Sequence, residues 1–316
     1  MSSPAFDAMA TRVRNWGRWG DDDVLGTLNL IDEAARRRAV AAVVSAEAFS
    51  LSLPLSAAEG IQMGFIKGRT NPSMTMTRIN APEAMAPDGP CFNEDIVELS
   101  MQAATHLDGL AHVSIDGHLY NGYPADEIDE LGSARLGIHH LGAVVTRGVL
   151  LDLAAARGED LLPAGHQISV EDLERAVDHA GVRPEAGDAV LIRTGHMRHL
   201  APGRPVDDPA RDVLAYSWPS PGLTIATAGW FHDHDTALVA TDTMVFEAYP
   251  CENEEDFLPV HVLHLVEMGM TQGQNWMLED LAQAAAADGR HTFLLDASPL
   301  RFTGAVGSAL TPIALR

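Results

Sequence analysis

Apolar residues cluster in short continuous runs separated by polar stretches with helical spacing. Ala143–Leu153, rich in Val and Leu, predicts a buried strand, and Ala189–Thr194 and Ala237–Thr241 predict two more. Ile96–Met101 reads as a shorter strand, and His291–Asp296 and Ala309–Leu315 as closing strands. Ser169 stands before Val170, Glu171 and Asp172, a variant of the capping-box spacing, and starts a helix to about Ala180. Pro221–His234, His261–Met268 and Leu278–Ala287 read as further helices, and Asp32–Val44 is helical in composition. Residues 61–95 carry Gly, Pro, Asn and Met without a clear period, which predicts a long loop with the length of a lid. Strands and helices mix without a strict βαβ rhythm. The expectation is one mixed α/β domain, with residues 1–60 as an N-terminal arm and 61–316 as the body.

Charge narrows the function. The chain has 316 residues, with 21 Lys and Arg against 44 Asp and Glu, a net charge of −23. Such a surface repels phosphate backbones and anionic lipid, so neither nucleic acid nor membrane is an expected partner. Two cysteines, Cys91 and Cys251, make no disulfide scaffold and no CxxC pair, and free thiols in a reducing cytoplasm are expected. The N-terminal stretch has no apolar core of a secretory signal, and Leu141–Ala156 is too short and too charged to span a bilayer. The absence of GxGxxG, P-loop, HExxH and GxSxG patterns takes support from nucleotide binding, HExxH metalloproteases and nucleophile-elbow hydrolases.

The densest chemistry lies in Gln102-Ala103-Ala104-Thr105-His106-Leu107-Asp108-Gly109-Leu110-Ala111-His112. On an extended backbone His106 and Asp108 face one side about 7 Å apart, close enough to converge on one ion. Imidazole nitrogen with carboxylate oxygen suits Zn, Mn or Fe as divalent ions. Gly109 permits the bend that would bring His112 back. The plainer alternative is a strand edge with solvated polar residues. His261 and His264, three apart on one helix, offer a second candidate face, with structural histidines as the alternative. His232 and His234 suit an exposed helix end. Asp242 ends a strand, where it serves either chemistry or backbone hydrogen bonding. Glu252–Asp256 reads as a solvated acidic loop.

On these residues the chain resembles the cyclase family that includes bacterial kynurenine formamidase and isatin hydrolase. The family pattern HxGTHxDxPxH reads here as Gln102, Ala104, Thr105, His106, Asp108, Leu110 and His112. Further matching segments run from Trp16-Gly17-Arg18-Trp19-Gly20, through Leu119-Tyr120-Asn121-Gly122, Arg147–Asp152, Gly187–Gly195 and Asp242-Thr243, to Gly304–Ser308. The resemblance implies a swivelling β/β/α fold, a hydrolytic metal site and a homodimer or homotetramer. It also implies His106, Asp108 and His261 as ligands of one divalent metal, Zn or Mn, and His112 as proton shuttle. Two positions depart. Gln102 replaces a ligand histidine and Gln274 an expected glutamate, so each is at most a weak, uncharged donor. Two metals are therefore not expected, and a metal-free centre stays open. The implied activity is hydrolysis of a small cyclic amide, formamide, carbamate or lactone. A metal-independent acid–base cyclase, dehydratase or lactonase, and a non-catalytic small-molecule binding protein, stand as alternatives. Trp16, Trp19, Tyr120 and Trp276 are candidates to stack on a planar substrate, or are core residues.

Overall fold

The computed structural model describes residues 2–316. Its frame is a mixed nine-stranded sheet. In chain order the strands needed here are β1 (Ala48–Ser50), β2 (Ser73–Glu83), β3 (Ala86–Glu98), β4 (His106–Asp108), β5 (Val145–Asp152), β6 (Ala189–Arg193), β7 (Leu238–Thr241), β8 (Gln272–Gln274), β9 (Thr292–Asp296), β10 (Gly307–Ala309) and β11 (Ile313–Leu315). The sheet order is β1-β11-β9-β5-β6-β7-β8-β4-β10. β5, β6, β7 and β8 run parallel, and the strands flanking them are antiparallel.

Both faces of the parallel centre are covered, which is why its strands read as unbroken apolar runs. Val149, Leu151, Val190, Ile192 and Val239 point into one core, and Leu150, Leu191, Leu238 and Ala240 into the other. The longer α-helices are α1 (Pro4–Val13), α2 (Glu33–Ala41), α3 (Val170–Ala180), α4 (Ile225–Asp233) and α5 (Glu279–Asp288). α1, α3 and α4 supply Phe6, Leu173 and Phe231 to the first core, and α5 supplies Leu281 and Ala285 to the second. Ser169 and Asp172 close a capping box on α3, as the spacing predicts. The N-terminal arm is built into the body: α1 packs on the first core and β1 extends the sheet beside β11.

Several expectations need correction. Residues 61–95 are not one loop. From Ser73 they form a long hairpin, β2 against β3, interrupted by register shifts. Nearly every residue of it is exposed, so neither face imposes the alternation that reveals a strand. The strand expected over Ile96–Met101 is the end of β3 and stops at Glu98. Ala309–Leu315 is not one strand: β10 forms one edge of the sheet, and β11 lies near the other, between β1 and β9. Pro221–His234 holds the short strand Gly222–Leu223 before α4 begins. His261–Met268 is mostly a π-helix, Val262–Met268, entered through the α-turn Pro259–His261. The acidic run is not wholly solvated, because Asp256 is buried and accepts from Ser3 N at 2.8 Å and Ser3 Oγ at 2.6 Å, anchoring α1. Cys91 is exposed and Cys251 half-buried, both as free thiols. Among the described residues no helix is long and apolar enough to cross a membrane.

The middle residue of β8 ties this frame to the site. A Cβ on Gly273 would stand 2.5 Å from the indole of Trp276, which is fully buried and donates from Nε1 to His106 O at 3.1 Å. Gly273→Ala is therefore expected to destabilise the protein by about 1–3 kcal/mol through overpacking. Urea denaturation measures this, and a wild-type midpoint would contradict it.

Candidate active site

The site grows from the register of three short strands. β4 runs antiparallel to β8, with Asp108 opposite Gln272, Leu107 opposite Gly273 and His106 opposite Gln274. The two-residue period puts His106, Asp108, Gln272 and Gln274 on one face. On the other edge of β4, Asp108 faces Gly307 and His106 faces Ala309. These small residues leave room that Gln102 fills, its Nε2 lying 2.4 Å from where a Gly307 Cβ would stand. The chain turns after Asp108, with His112 N donating to Gly109 O at 2.9 Å. Gly109 is needed there for close approach, since a Cβ would meet Val306 O at 2.9 Å.

Three imidazoles thereby face one carboxylate. His106 Nε2 lies 3.6 Å from Asp108 Oδ1, and His112 Nε2 3.7 Å from the same oxygen. His261, delivered by the turn Pro259–His261, has its Nε2 4.0 Å from Oδ2. Asp108 is fully buried, and its two oxygens differ. Oδ2 accepts from Gln274 Nε2 at 2.8 Å and from Gln272 Nε2 at 3.4 Å, whereas Oδ1 has no hydrogen-bond partner. The Gln274 amide also lies 3.1 Å from His261 Nε2, bridging the ring to the carboxylate.

The far nitrogens of the rings are committed. His106 Nδ1 donates to Ala104 O at 2.7 Å, and His261 Nδ1 donates to Glu247 Oε2 at 2.6 Å. Each Nε2 is left as a lone pair aimed into the site, the way outer partners orient metal-bound or basic histidines. His112 differs: Gln102 Nε2 stands 3.4 Å from its Nδ1, and its side chain is 21% exposed against 1% for His106. It is the most exposed of the three rings.

Burial lowers His106 to about 4, and burial also lowers His112, against the pull of Asp108 in both cases. Burial would raise Asp108, but the charges of His112, His106 and His261 carry it below the usual carboxylate range. His261 reverses the pattern. Burial depresses it, yet the charge and hydrogen bond of Glu247 outweigh that and raise it.

Donors bound to one tetrahedral zinc lie about 3.4 Å from each other. The spacings of 3.6 and 3.7 Å at Oδ1 are slightly wider, and among the described residues no three His, Cys, Asp or Glu side chains close into a ready metal cluster. The orphaned Oδ1 beside the lone pair of His106 nonetheless suits one divalent ion. A second ion between Oδ2 and His261 does not fit, because the Gln274 amide hydrogens already occupy that gap.

The sequence model of the family described as "Putative cyclase" matches residues 49–248. The chain belongs to this family. A crystal structure described as that of a novel cyclase superposes with a TM-score of 0.85 at 33% identity, covering 97% of this chain and 99% of that one. Isatin hydrolase A from Labrenzia aggregata, bound to benzyl benzoate, gives 0.62 at 18% identity over 88% and 95% of the chains. A potential metal-dependent hydrolase with cyclase activity gives 0.53 at 14% identity over 85% and 98%. At such identities the last two show the fold alone. Among curated proteins none matches.

In this cyclase-family chain the structure draws together His106, Asp108, His112, His261, Gln102 and Gln274. The aromatic candidates are engaged in other contacts. Trp276 is in the second core, and Trp16 Nε1 donates to Val266 O at 2.8 Å. Tyr120 donates its hydroxyl to Asp23 Oδ2 at 2.9 Å, and Trp19 lies under the Arg18 guanidinium. Asp242 is buried and accepts from Thr194 N, Thr194 Oγ1 and Gly195 N at 2.7–2.9 Å, the backbone-bonding alternative. His264 donates from Nδ1 to Gln272 Oε1 at 3.1 Å and so orients that amide. His232 lies in the last turn of α4 and His234 caps it. Sequence reading missed Glu247 and Gln272. Their only signal was a lone acid in Phe246-Glu247-Ala248 and a glutamine two before Gln274.

Burial sets a pH dependence of stability. His106 and His196 are held near 4 and His264 near 3, all by burial first, below the unfolded value of about 6.5. The unfolded chain then binds more protons between these values, so stability falls as pH drops from about 6.5 towards 4. Each such ring contributes a slope of up to about 1.4 kcal/mol per pH unit. His261, raised, acts oppositely, its contribution being lost as pH rises through its folded value. Urea midpoints at pH 7 and pH 5 test the balance. The lower midpoint is expected at pH 5, and equal midpoints would contradict it.

Proposed function

We propose that the chain hydrolyses a small cyclic amide, formamide, carbamate or lactone at the Asp108 centre. The observation that carries this reading is the unpartnered, buried Oδ1 of Asp108, faced by His106 and His112. A buried acceptor without a partner is unfavourable unless the site supplies one when loaded. His106 and Asp108 would hold one divalent metal, Zn or Mn, with His261 as the further protein donor and His112 left free for proton transfer. When bound, the ion would lower the pKa of water and polarise the scissile carbonyl.

The chain's own groups do the rest. His112, open on one side, takes a proton from the attacking water and returns it to the leaving nitrogen or oxygen. Gln102 suits that exchange, because its amide donates to Nδ1 in one orientation and accepts from it in the other. Asp108 stays ionised beside His112 and favours the imidazolium form that the transfer creates. Gln274 holds Oδ2, so the carboxylate presents only Oδ1. An apolar cavity of about 500 Å³, lined in part by Phe65, Trp218, Tyr249 and Leu258, adjoins the turn that carries His261 and has the size for a small substrate.

His112→Ala is expected to keep the fold and lose turnover by about a hundredfold or more. Undiminished kcat in that variant would remove His112 from the mechanism. Chelator-treated protein is expected to lose activity and regain it with one equivalent of Zn or Mn per chain. A requirement for two equivalents would contradict the reading of the Gln274 amide. Full activity after chelation would favour the metal-independent acid–base reading, which the Gln274 bridge between Asp108 and His261 also supports. The homodimer or homotetramer implied by the resemblance belongs to this reading as well. Its support is the uncovered hairpin β2–β3, with Met74, Ile79 and Phe92 exposed.

A further inference from the structure

The segment leading into the hairpin carries a charge that nothing in the fold neutralises. It is tethered beside the site. Gln62 Nε2 donates to Ala103 O at 2.8 Å, Asn71 Nδ2 to Gln62 O at 3.0 Å, and Thr70 N to Ser100 Oγ at 3.0 Å. The partners Ser100 and Ala103 flank Gln102, whose amide lies against His112. Arg69 sits within this tether and is half-buried. Among the described residues no carboxylate lies within ion-pair distance of its guanidinium and no group accepts a hydrogen bond from it, unlike Arg193, which is bonded to Asp152 and Glu279. Burial lowers the pKa of Arg69, and the carboxylate whose charge it feels is Asp108. Arg69 is thus an unpaired, half-buried cation on a segment hydrogen-bonded to the residues that flank Gln102, beside His112.

Holding a half-buried guanidinium unpaired is unfavourable, and a chain with 44 acidic residues had ample means to pair it. A small anion also meets long-range repulsion from a net charge of −23, so its capture needs a local cation. Guanidinium is the side chain whose planar fork matches a carboxylate with two parallel hydrogen bonds.

We propose that Arg69 is a substrate-binding residue and that the substrate is an acid, whose carboxylate the guanidinium holds while its amide or ester carbonyl lies at Asp108 and His112. The assignment of the carbonyl rests on the hydrolase reading above; the carboxylate site does not.

Two matched formamides, N-formylanthranilate and formanilide, differ in the carboxylate and separate these claims. Wild-type enzyme is expected to favour the acid at least tenfold in kcat/KM. Arg69→Ala is expected to abolish most of that preference through a rise in KM for the acid, and Arg69→Lys to restore part of it. A preference unaltered by Arg69→Ala, or none in a wild type that turns over formanilide, overturns the proposal. An equal fall in kcat for both compounds also overturns it, because that places Arg69 at the reacting atoms. Calorimetric titration with benzoate gives a readout free of turnover: binding is expected to weaken tenfold or more in Arg69→Ala and to persist in His112→Ala. Benzoate binding lost with Arg69, in a protein that turns over neither formamide, supports the anion site and counts against hydrolysis. Equal benzoate affinity in wild type and Arg69→Ala overturns the anion site, while formanilide turnover would leave hydrolysis standing. Circular dichroism melts confirm that the variants are folded.

Discussion

One carboxylate organises this protein. Asp108 is buried among three imidazoles, and the cost of removing an anion from water is met by these rings and two glutamine amides. The compensation is uneven. Oδ2 is held by amide hydrogens, whereas Oδ1 faces His106 and His112 with no partner of its own. That asymmetry gives the site a direction. One side is a finished hydrogen-bonded wall, and the other lacks a group which a cation or a polarised substrate would supply.

The surrounding fold fixes this arrangement by strand register and by a second layer of hydrogen bonds. Register alone aligns Gln272 with Asp108 and Gln274 with His106 across the β4–β8 pair. Glu247, almost fully buried, then sets His261 from behind, accepting from its ring at 2.6 Å and from its backbone N–H at 3.0 Å. Ala104 O does the same for His106, and Asn275 Nδ2 steadies that carbonyl at 3.0 Å. Rings pinned at Nδ1 cannot swing, so their Nε2 atoms stay aimed at the carboxylate. His112, with only the Gln102 amide at 3.4 Å behind its ring, is held less firmly.

Much of this was legible in the residues. The apolar runs marked β5, β6, β7 and β9 because burial on both faces, or firmly on one, leaves a compositional trace. The even spacing of His106 and Asp108 gave their shared face, since side chains alternate along a strand whatever the tertiary context. The resemblance to a known family brought in His261, which no local pattern could join to a strand so distant in sequence. What stayed hidden has physical reasons. The β2–β3 hairpin buries neither face and so carries no period. Glu247 acts through a contact across 14 residues, and an isolated acid between apolar neighbours reads as a misplaced surface residue. Arg69 lies in a loop whose path is set by hydrogen bonds to residues 100 and 103, and sequence does not record where such a loop comes to rest.

Another cavity, about 600 Å³, lies elsewhere in the fold. Its lining of Arg193, Arg198, Glu159, Glu279 and other polar groups is mostly paired within itself and shares no residue with the Asp108 centre. Its charges are satisfied within it, whereas Asp108 Oδ1 is not. The most direct test is a crystal structure of the metal-supplemented His112→Asn variant with a cyclic amide such as phthalimide. The account predicts the amide carbonyl beside Asp108 Oδ1, with its ring nitrogen within about 4 Å of residue 112, where a proton transfer would reach it directly or through one water. An amide bound in the charged cavity instead, or rings 106 and 261 turned away from Asp108, would contradict it.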